Sequence, residues 1–530
     1  MRLRALLLIG VCLAASSAAQ ADFMVSNKPT HDVSCVSGIC TPTAANANLN
    51  ANELTDMLAS GDVALSSDGH GTTPNIQIAN GFSWASTSRL SLQAAKNIVV
   101  KAPVIVAGAG AVAIAYANGD LFFDKTGKID FWDLKSSLVI NSLKFTLVAD
   151  IKSLANKIAA KPSGRYALAK DYDASVDGTY KDSPVGTTFL GTFEGLGHTV
   201  ANLTIAVPSS SIPLMGFFTQ SAGTLRDIRL SNLLYTKQFF GNSSVAGGLV
   251  AENDGVISGA STTGSIPESN DDLAAGGLAG INRGSITASM SAVEIGTGGG
   301  GLVDQNYGTI SQSFASGSAS GVDPGGLAYF NDKDGTITQS YATGNVSSVK
   351  TPSGYGNVGG LVAVNWGTVA QTFATGTATG ASGKKVTVGG LIGVAVDGLI
   401  SQSYATGAVV AGKKNTAGGL VGEVDAKVTL TQSYSTGLVS IGQGLLVGGF
   451  IGYDKSAGAH MDSAYWDLDT SGIDDTGRGA GAPRNDPGIT GLTDAQLKSG
   501  LPAGFDPNVW GQSQDINNGY PYLLANPPAK

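Results

Sequence analysis

Apolar and polar positions along this chain alternate in short bursts. Between residues 76 and 148 the bursts are Ile76-Gln77-Ile78, Leu90-Ser91-Leu92, Ile98-Val99-Val100, Val104-Ile105-Val106, Leu121-Phe122-Phe123, Ile129-Asp130-Phe131 and Leu138-Val139-Ile140. Gly, Asn, Asp or Lys separate them about every eight to ten residues, and β-branched or apolar runs bounded in this way predict strands. A helical period interrupts twice. Asn50 with Glu53 forms a capping box ahead of Leu54 and Leu58, with Gly61 past the end. Ile151, Leu154 and Ile158 share one face of a second short helix that stops before Pro162. Strands resume at Tyr166.

From Gly247 a longer period takes over. Gly-Gly followed by Leu, or once by Phe, occurs eight times up to Phe450 at intervals of 24 to 34 residues. The second glycines are Gly248, Gly277, Gly301, Gly326, Gly360, Gly390, Gly419 and Gly449. Later in each copy comes an aliphatic, usually two past a glycine: Ile257, Ile286, Ile310, Ile337, Val369, Ile400 and Leu430. A block like Ser-Gln-Ser-Tyr-Ala-Thr-Gly follows, with Phe314, Tyr341, Phe373, Tyr404 and Tyr434 at its aromatic position and Ser261 and Met290 there in earlier copies. Self-similarity at this period signals a repeat architecture whose copies lean on one another for a core.

Three extended stretches per copy, broken by glycines, predict one coil of a parallel β-helix rising about 4.8 Å, so eight copies make a shaft of roughly 40 Å. Stacking places the aliphatics in internal ladders and the Phe/Tyr positions in an aromatic ladder, read as an internal or corner stack. Glycine supplies positive φ and small size at the corners. A helical solenoid is excluded, because each interior Gly would cost a helix about 1 kcal/mol. The predicted fold class is all-β, a right-handed parallel β-helix with short helical connectors and an irregular C-terminal cap.

Residues 359–376, Gly-Gly-Leu-Val-Ala-Val-Asn-Trp-Gly-Thr-Val-Ala-Gln-Thr-Phe-Ala-Thr-Gly, resemble the GLUG repeat of bacterial surface proteins. The block from Phe193 to Leu203 resembles the segment that commonly precedes such repeats. Phe82-Ser83-Trp84, Leu90 to Ala94 and Leu138 to Asn141 are more loosely similar to filamentous-haemagglutinin-like exoproteins. Tyr465-Trp466-Asp467, with Gly491-Leu-Thr and Gly519 to Leu523, resembles the closing segment of GLUG proteins. The resemblance implies a β-helical, secreted or surface-exposed, adhesin-like protein. It carries over no catalytic residues, because the repeat is a structural motif. On this reading residues 1–21 are a signal peptide, 22–75 an N-terminal cap segment, 76–148 a haemagglutinin-like solenoid segment and 149–164 a helical connector. Residues 165–246 are lead-in coils, 247–465 the GLUG repeats and 466–530 a C-terminal cap. The two caps shield the open ends, the second with Trp466, Phe505, Trp510, Tyr520 and Tyr522 as apolar cover.

Charge and cysteines narrow the compartment. Arg2 and Arg4, the apolar run from Leu6 to Ala14 and the small-x-small site Ala19-Gln20-Ala21 make the leader a secretory signal. That run is well short of the roughly 20 residues a membrane span needs, and no later segment qualifies. The protein is expected outside the cell or on its outer surface. Its expected partners are a host or cell-surface glycan or protein, or extracellular matrix, with a secretion partner on the way out. The formal charge of −8 becomes two units more negative once Arg2 and Arg4 leave. An acidic chain without a Lys/Arg stripe argues against nucleic acid. Cys35 and Cys40 remain after cleavage, and so close a pair in an oxidising compartment predicts a small-loop disulfide. A metal site would need two further ligands, and none lies nearby in sequence.

Few motifs point to chemistry. Val104 to Ala113 has the outline of a dinucleotide fingerprint, but Asn118-Gly119-Asp120 interrupts the helix such a site needs, so a glycine-rich bend between strands is expected. Gly407 to Lys414 resembles a phosphate loop without its Ser/Thr and reads as an exposed loop. Asp467, Asp469 and Asp475 copy the start of a calcium loop, although Arg478 stands where the bidentate Glu belongs; a polar turn is the competing reading. No other metal and no organic cofactor is expected. His31, His70, His198 and His460 are scattered and read as surface or turn residues. Two functions remain, an adhesin-like binding protein and a polysaccharide lyase or hydrolase on the same scaffold. The enzyme needs acids and bases clustered on one face. The candidate rungs carry Ser, Thr, Gln, Gly and Ala, which favours the binder and names no catalytic residue.

Overall fold

The computed structural model describes residues 22–69, 74–206, 214–236, 244–267, 274–349, 355–382, 385–440 and 446–528. The expected leader and His70 lie outside them. Two compact units share the chain. One comprises Met1–Asp173, Leu190–Ala201 and Thr224–Arg229, the other Ala174–Phe189, Asn202–Gly223 and Leu230–Lys530.

In the first unit every apolar run predicted between 76 and 148 is a strand, and equivalent strands stack in parallel. Asn75–Ile78, Ile98–Val100 and Leu121–Phe123 form one ladder. Phe82–Trp84, Pro103–Val106 and Lys128–Phe131 form the second, and Arg89–Ala94, Ala111–Tyr116 and Ser137–Ile140 the third. Alternate side chains point inward, so Ile76 sits over Ile98, Val104 over Ile129 and Val112 over Leu138, all buried. The strand after Gly110 rules out the dinucleotide outline, because no helix N-terminus exists to hold a pyrophosphate. Upstream, Asp22–Ser26 pairs between Asn48–Asn50 and Asn75–Ile78, so this segment adds strands of its own.

The helix Ala51–Ser60 buries Leu54 and Leu58, and the Leu58 carbonyl accepts from Ser86 Oγ at 2.6 Å. Only half of the predicted capping box forms. Asn50 accepts from Asn52 N and Glu53 N, but Glu53 accepts from Thr30 Oγ1 at 2.7 Å, and Thr30 Oγ1 in turn takes the Asn50 amide at 2.9 Å. Cys35 and Cys40 are joined by a disulfide. They lie opposite each other in the hairpin Val33–Val36 and Ile39–Pro42, whose two turn residues, Ser37 and Gly38, both have positive φ.

After Ile140 the winding is interrupted. Asn141 and Ser142, at φ 46° and 66°, turn Leu143–Val148 back antiparallel to Ser137–Ile140. The second predicted helix, Ile151–Ala160, follows with Asp150 as its cap. Parallel stacking then resumes through Arg165–Leu168, Thr192–Glu194 and Thr224–Arg226.

The second unit is a parallel β-solenoid built copy on copy. One ladder has nine strands, from Leu214–Met215 to Leu446–Gly448, and another ten, from Phe218–Ser221 to Ala480–Ala482. At about 4.8 Å per step the longer ladder extends roughly 43 Å. In this unit the register is repeat on repeat, as in Val362 over Ile392, Ile310 over Ile337 and Phe373 over Tyr404. The copies with second glycines Gly301, Gly326, Gly360 and Gly390 each hold five short strands rather than the three expected. The extra ones include two- or three-residue pieces such as Val346–Ser348, Ala378–Thr379 and Val409–Val410, too short to leave a sequence pattern.

The corners also differ from expectation. None of the eight second glycines has positive φ; seven are small because the next coil's backbone passes close, and Gly449 because the Trp466 ring does. A Cβ on Gly360 would lie 2.0 Å from Gly390 O, and one on Gly419 2.2 Å from Gly449 O. The left-handed corner falls instead on Gln312, Gln339, Gln371, Gln402 and Gln432, at φ 46–54°. Such backbone costs about 1 kcal/mol or more per residue, and hydrogen bonds between coils offset it. Gln312, Gln339 and Gln371 each donate Nε2 to the next glutamine's Oε1 at 3.2–3.3 Å. Beneath them, buried Ser313 Oγ accepts from Ser289 N at 3.1 Å and donates to Ser311 O at 2.8 Å. A second buried column runs along the ten-stranded ladder. Asn253, Asn282, Asn306 and Asn331 each donate Nδ2 to the next asparagine, ending at Asn365, at 2.7–2.8 Å.

Candidate functional site

The aromatic ladder faces outward, which corrects the internal reading. The alanines that follow its rings, Ala315, Ala342, Ala374 and Ala405, are fully buried, whereas the rings point to the opposite side of the strand. From Phe314 through Tyr341, Phe373 and Tyr404 to Tyr434 the rings stack at 4.6–5.1 Å, within 11° of parallel. Phe373, Tyr404 and Tyr434 form their own apolar cluster with Leu497, Phe505, Trp510, Tyr520 and Leu523, and Tyr341 packs against it. The C-terminal segment therefore lies along the side of the ladder. Trp510 packs 6.0 Å from Tyr404 and 5.9 Å from Tyr434, and Tyr434 Oη donates to Pro521 O at 2.5 Å. Asn526 Nδ2 reaches Gln371 O at 3.5 Å. Trp466 alone among the proposed cover residues is enclosed within the coil, directly under Gly449. Phe314 and Tyr341 stay partly exposed. Sugars stack on ring faces, and these faces are occupied by neighbouring rings, so the side of the ladder presents only edges.

The three calcium candidates are not brought together. Asp467 is fully buried and accepts from Asp469 N, Thr470 N and Tyr520 Oη at 2.9–3.1 Å. Asp469 accepts from Asp494 N at 2.8 Å. Asp475 pairs with Arg484 and takes Gly477 N at 3.0 Å. Among the described residues no three His, Cys, Asp or Glu side chains converge as metal ligands would.

The first unit holds an ionic cluster that sequence reading missed. Arg226 reaches Asp120 at 2.6 Å, Asp227 at 3.1 Å and Glu194 at 3.3 Å. Burial, reinforced by Asp227, pushes the Glu194 acid well above its ordinary value. Burial likewise lifts Asp227 to about 6 against the pull of Arg226. Close by, His198 is fully buried, not a surface residue, with Nε2 2.9 Å from Ile129 O and Nδ1 3.2 Å from Asp171. Burial works against ionising Asp171, but hydrogen bonds from His198, Lys128 and the Thr199 amide hold its acid below the usual range. These groups tie the 120–131, 192–199 and 224–229 segments together inside the unit. Glu194 and His198 belong to the block before the repeats, and their partners lie too far off in sequence to be paired by spacing.

In the second unit an open recess of about 570 Å³ is lined by Ser175, Thr179, Asn202, Thr204, Asn232, Leu233, Ser265 and Glu294, among others. Stacked strands place these groups: Ser265 lies in register with Glu294, and Asn232 Nδ2 donates to Asn202 Oδ1 at 2.8 Å. Gly264 forms part of the floor, where a Cβ would lie 1.9 Å from Leu233 O. Among the described residues Glu294, an exposed side chain, is the ionisable group of this lining.

The fold places the chain among parallel β-solenoid proteins. No family model matches it, and no curated protein matches it in sequence. Among the described residues no helix is long and apolar enough to cross a membrane.

Proposed function

We propose that the chain is a secreted or cell-surface, adhesin-like binding protein of the GLUG type that holds a hydroxyl-rich glycan in the recess between Ser175 and Glu294. The recess lining carries the reading. Amides and hydroxyls from successive coils supply both donors and acceptors to sugar hydroxyls, and Leu234, exposed in the lining, gives an apolar patch for a ring's C–H face. Hydrolysis or elimination needs a second ionisable group placed to exchange a proton. Among the described residues the lining offers Glu294 as its ionisable group, which favours binding over turnover. The GLUG resemblance of residues 359–376 and the expected leader support an extracellular setting. A glycan array probed with the purified chain tests the proposal. A defined glycan class should be retained, and Asn232→Ala or Thr204→Ala should weaken it at least tenfold. Retention unaffected by either substitution, or release of shortened sugar, would overturn it.

A further inference from the structure

The asparagine column has an unusual end. Along it, each side chain donates an N–H to the carbonyl oxygen of the next. After Asn365 the same position holds Ala395, Val424 and then Asp454. Asp454 is 2 % exposed, and its carboxylate accepts from Ser456 N, Ser456 Oγ and Gly458 N at 2.7–3.0 Å. The next coil brings Asp486 to the same turn, where a Cβ on Gly458, whose amide Asp454 takes, would lie 2.5 Å from Asp486 Oδ1. Asp486 is 6 % exposed, and neither of its carboxylate oxygens has a hydrogen-bond partner. Among the described residues neither aspartate has a salt-bridge partner. Lys455 turns to Glu423 at 2.7 Å and Asp425 at 3.5 Å, and Arg484 turns to Asp475.

Two buried carboxylates in contact repel, and neither can donate as an asparagine does. Burial, together with Asp454, lifts the Asp486 acid to about 7. A shared proton would serve one oxygen of Asp486 and leave the other bare. A hard cation serves both, because carboxylates bind calcium through one or two oxygens within shells of about six to eight.

We propose that Asp454 and Asp486 form a binding site for a calcium-like divalent cation that clasps the 454–458 turn to the 484–488 turn. This site is separate from Asp467, Asp469 and Asp475, which the fold does not bring together. The ion supplies the positive charge that both aspartates lack, and it locks the last full coil to the segment leading into the C-terminal strap.

The test uses the full chain stripped with chelator, then titrated with calcium alone by calorimetry and followed by thermal unfolding. The expected result is saturable uptake of one ion per chain with a rise in melting temperature. Asp486→Asn should weaken uptake at least tenfold, while Asp467→Asn retains it. Absence of uptake by the unmodified chain would overturn the proposal. So would uptake that Asp486→Asn leaves unchanged, which would place the ion on surface carboxylates. A stability loss as pH rises through about 7, identical with and without calcium, would show a shared proton instead.

Discussion

Replacing Trp510 with alanine tests whether the C-terminal segment is a strap on the outside of the solenoid. The indole is 1 % exposed. It stacks on Phe505 at 4.6 Å and bears on Tyr404 and Tyr434. Its Nε1 has no hydrogen-bond partner, so the loss is one of packing and cavity, about 3–5 kcal/mol for a buried Trp→Ala change. The alanines and aliphatics inside the coils do not touch this cluster, so the cost should fall on strap opening alone. A change of 3–5 kcal/mol raises the open population roughly a hundredfold to a few thousandfold. Native-state hydrogen exchange read by mass spectrometry should show that acceleration in peptides covering 497–524. Peptides covering the inner strands Val362–Asn365 and Ile392–Ala395 should keep wild-type protection. Uniform acceleration through the repeats would mean that the tail is part of the solenoid's own folding unit, and no acceleration would mean that Trp510 does not hold it; either result refutes the strap.

Five further substitutions probe buried polar groups. Tyr404 Oη is buried without a partner, whereas Tyr434 Oη bonds to Pro521 O and Asn517 Nδ2. Tyr404→Phe should therefore be neutral or stabilising by about 1 kcal/mol and Tyr434→Phe destabilising by about as much, measured as shifts in urea midpoint. Burial lifts the Asp304 acid to about 8. A carboxyl pKa raised on folding makes its contribution in full below about pH 4, the unfolded value, and loses it as pH rises through about 8. Wild type should lose on the order of 5 kcal/mol across that window, and Asp304→Asn should remove that part of the pH dependence; identical profiles would refute the assignment. Asn306→Ala strips an acceptor from Asn282 and a donor from Asn331 and should cost about 3 kcal/mol. Asn365→Ala, at the column's end, removes one such bond and should cost about half as much. Equal costs would show that the column is not coupled.

The strands and coils were legible because two periods coexist, alternation within a run and recurrence of Gly-Gly-Leu between runs. The facing of the aromatic ladder was not, and the reason is one residue wide. Counting by twos from inward Ile310 puts Gln312 and then Phe314 inside. The left-handed backbone at Gln312 shifts the phase by one, so Ser313 and Ala315 turn inward and Phe314 outward. Nothing about glutamine announces positive φ, which is why the positive-φ corners were expected at glycines. The recess escaped notice for another reason. Its lining comes from segments of ordinary composition, Ser175 to Glu294, that meet only because coils stack.

Stacking also explains how so many polar side chains can be buried. An isolated asparagine in an apolar core leaves donors and acceptors bare, at about 1–3 kcal/mol per group. Here the neighbouring coil supplies the same residue in the same place, so each amide satisfies the next. The difficulty then moves to the column's ends. At one end Ser221 sits beside Asn253 with its hydroxyl unpartnered. At the other the column turns apolar at Ala395 and Val424, which ask for no partner. A duplicated copy with its asparagine should therefore be accepted between Asn331 and Asn365, adding one more link. The same copy placed between Ala395 and Val424 would bury an amide against two alkyl groups. Urea midpoints of the two insertion variants should differ by about 2 kcal/mol or more in favour of the first. Equal stability would mean that local contacts within each copy, not the column, satisfy these amides.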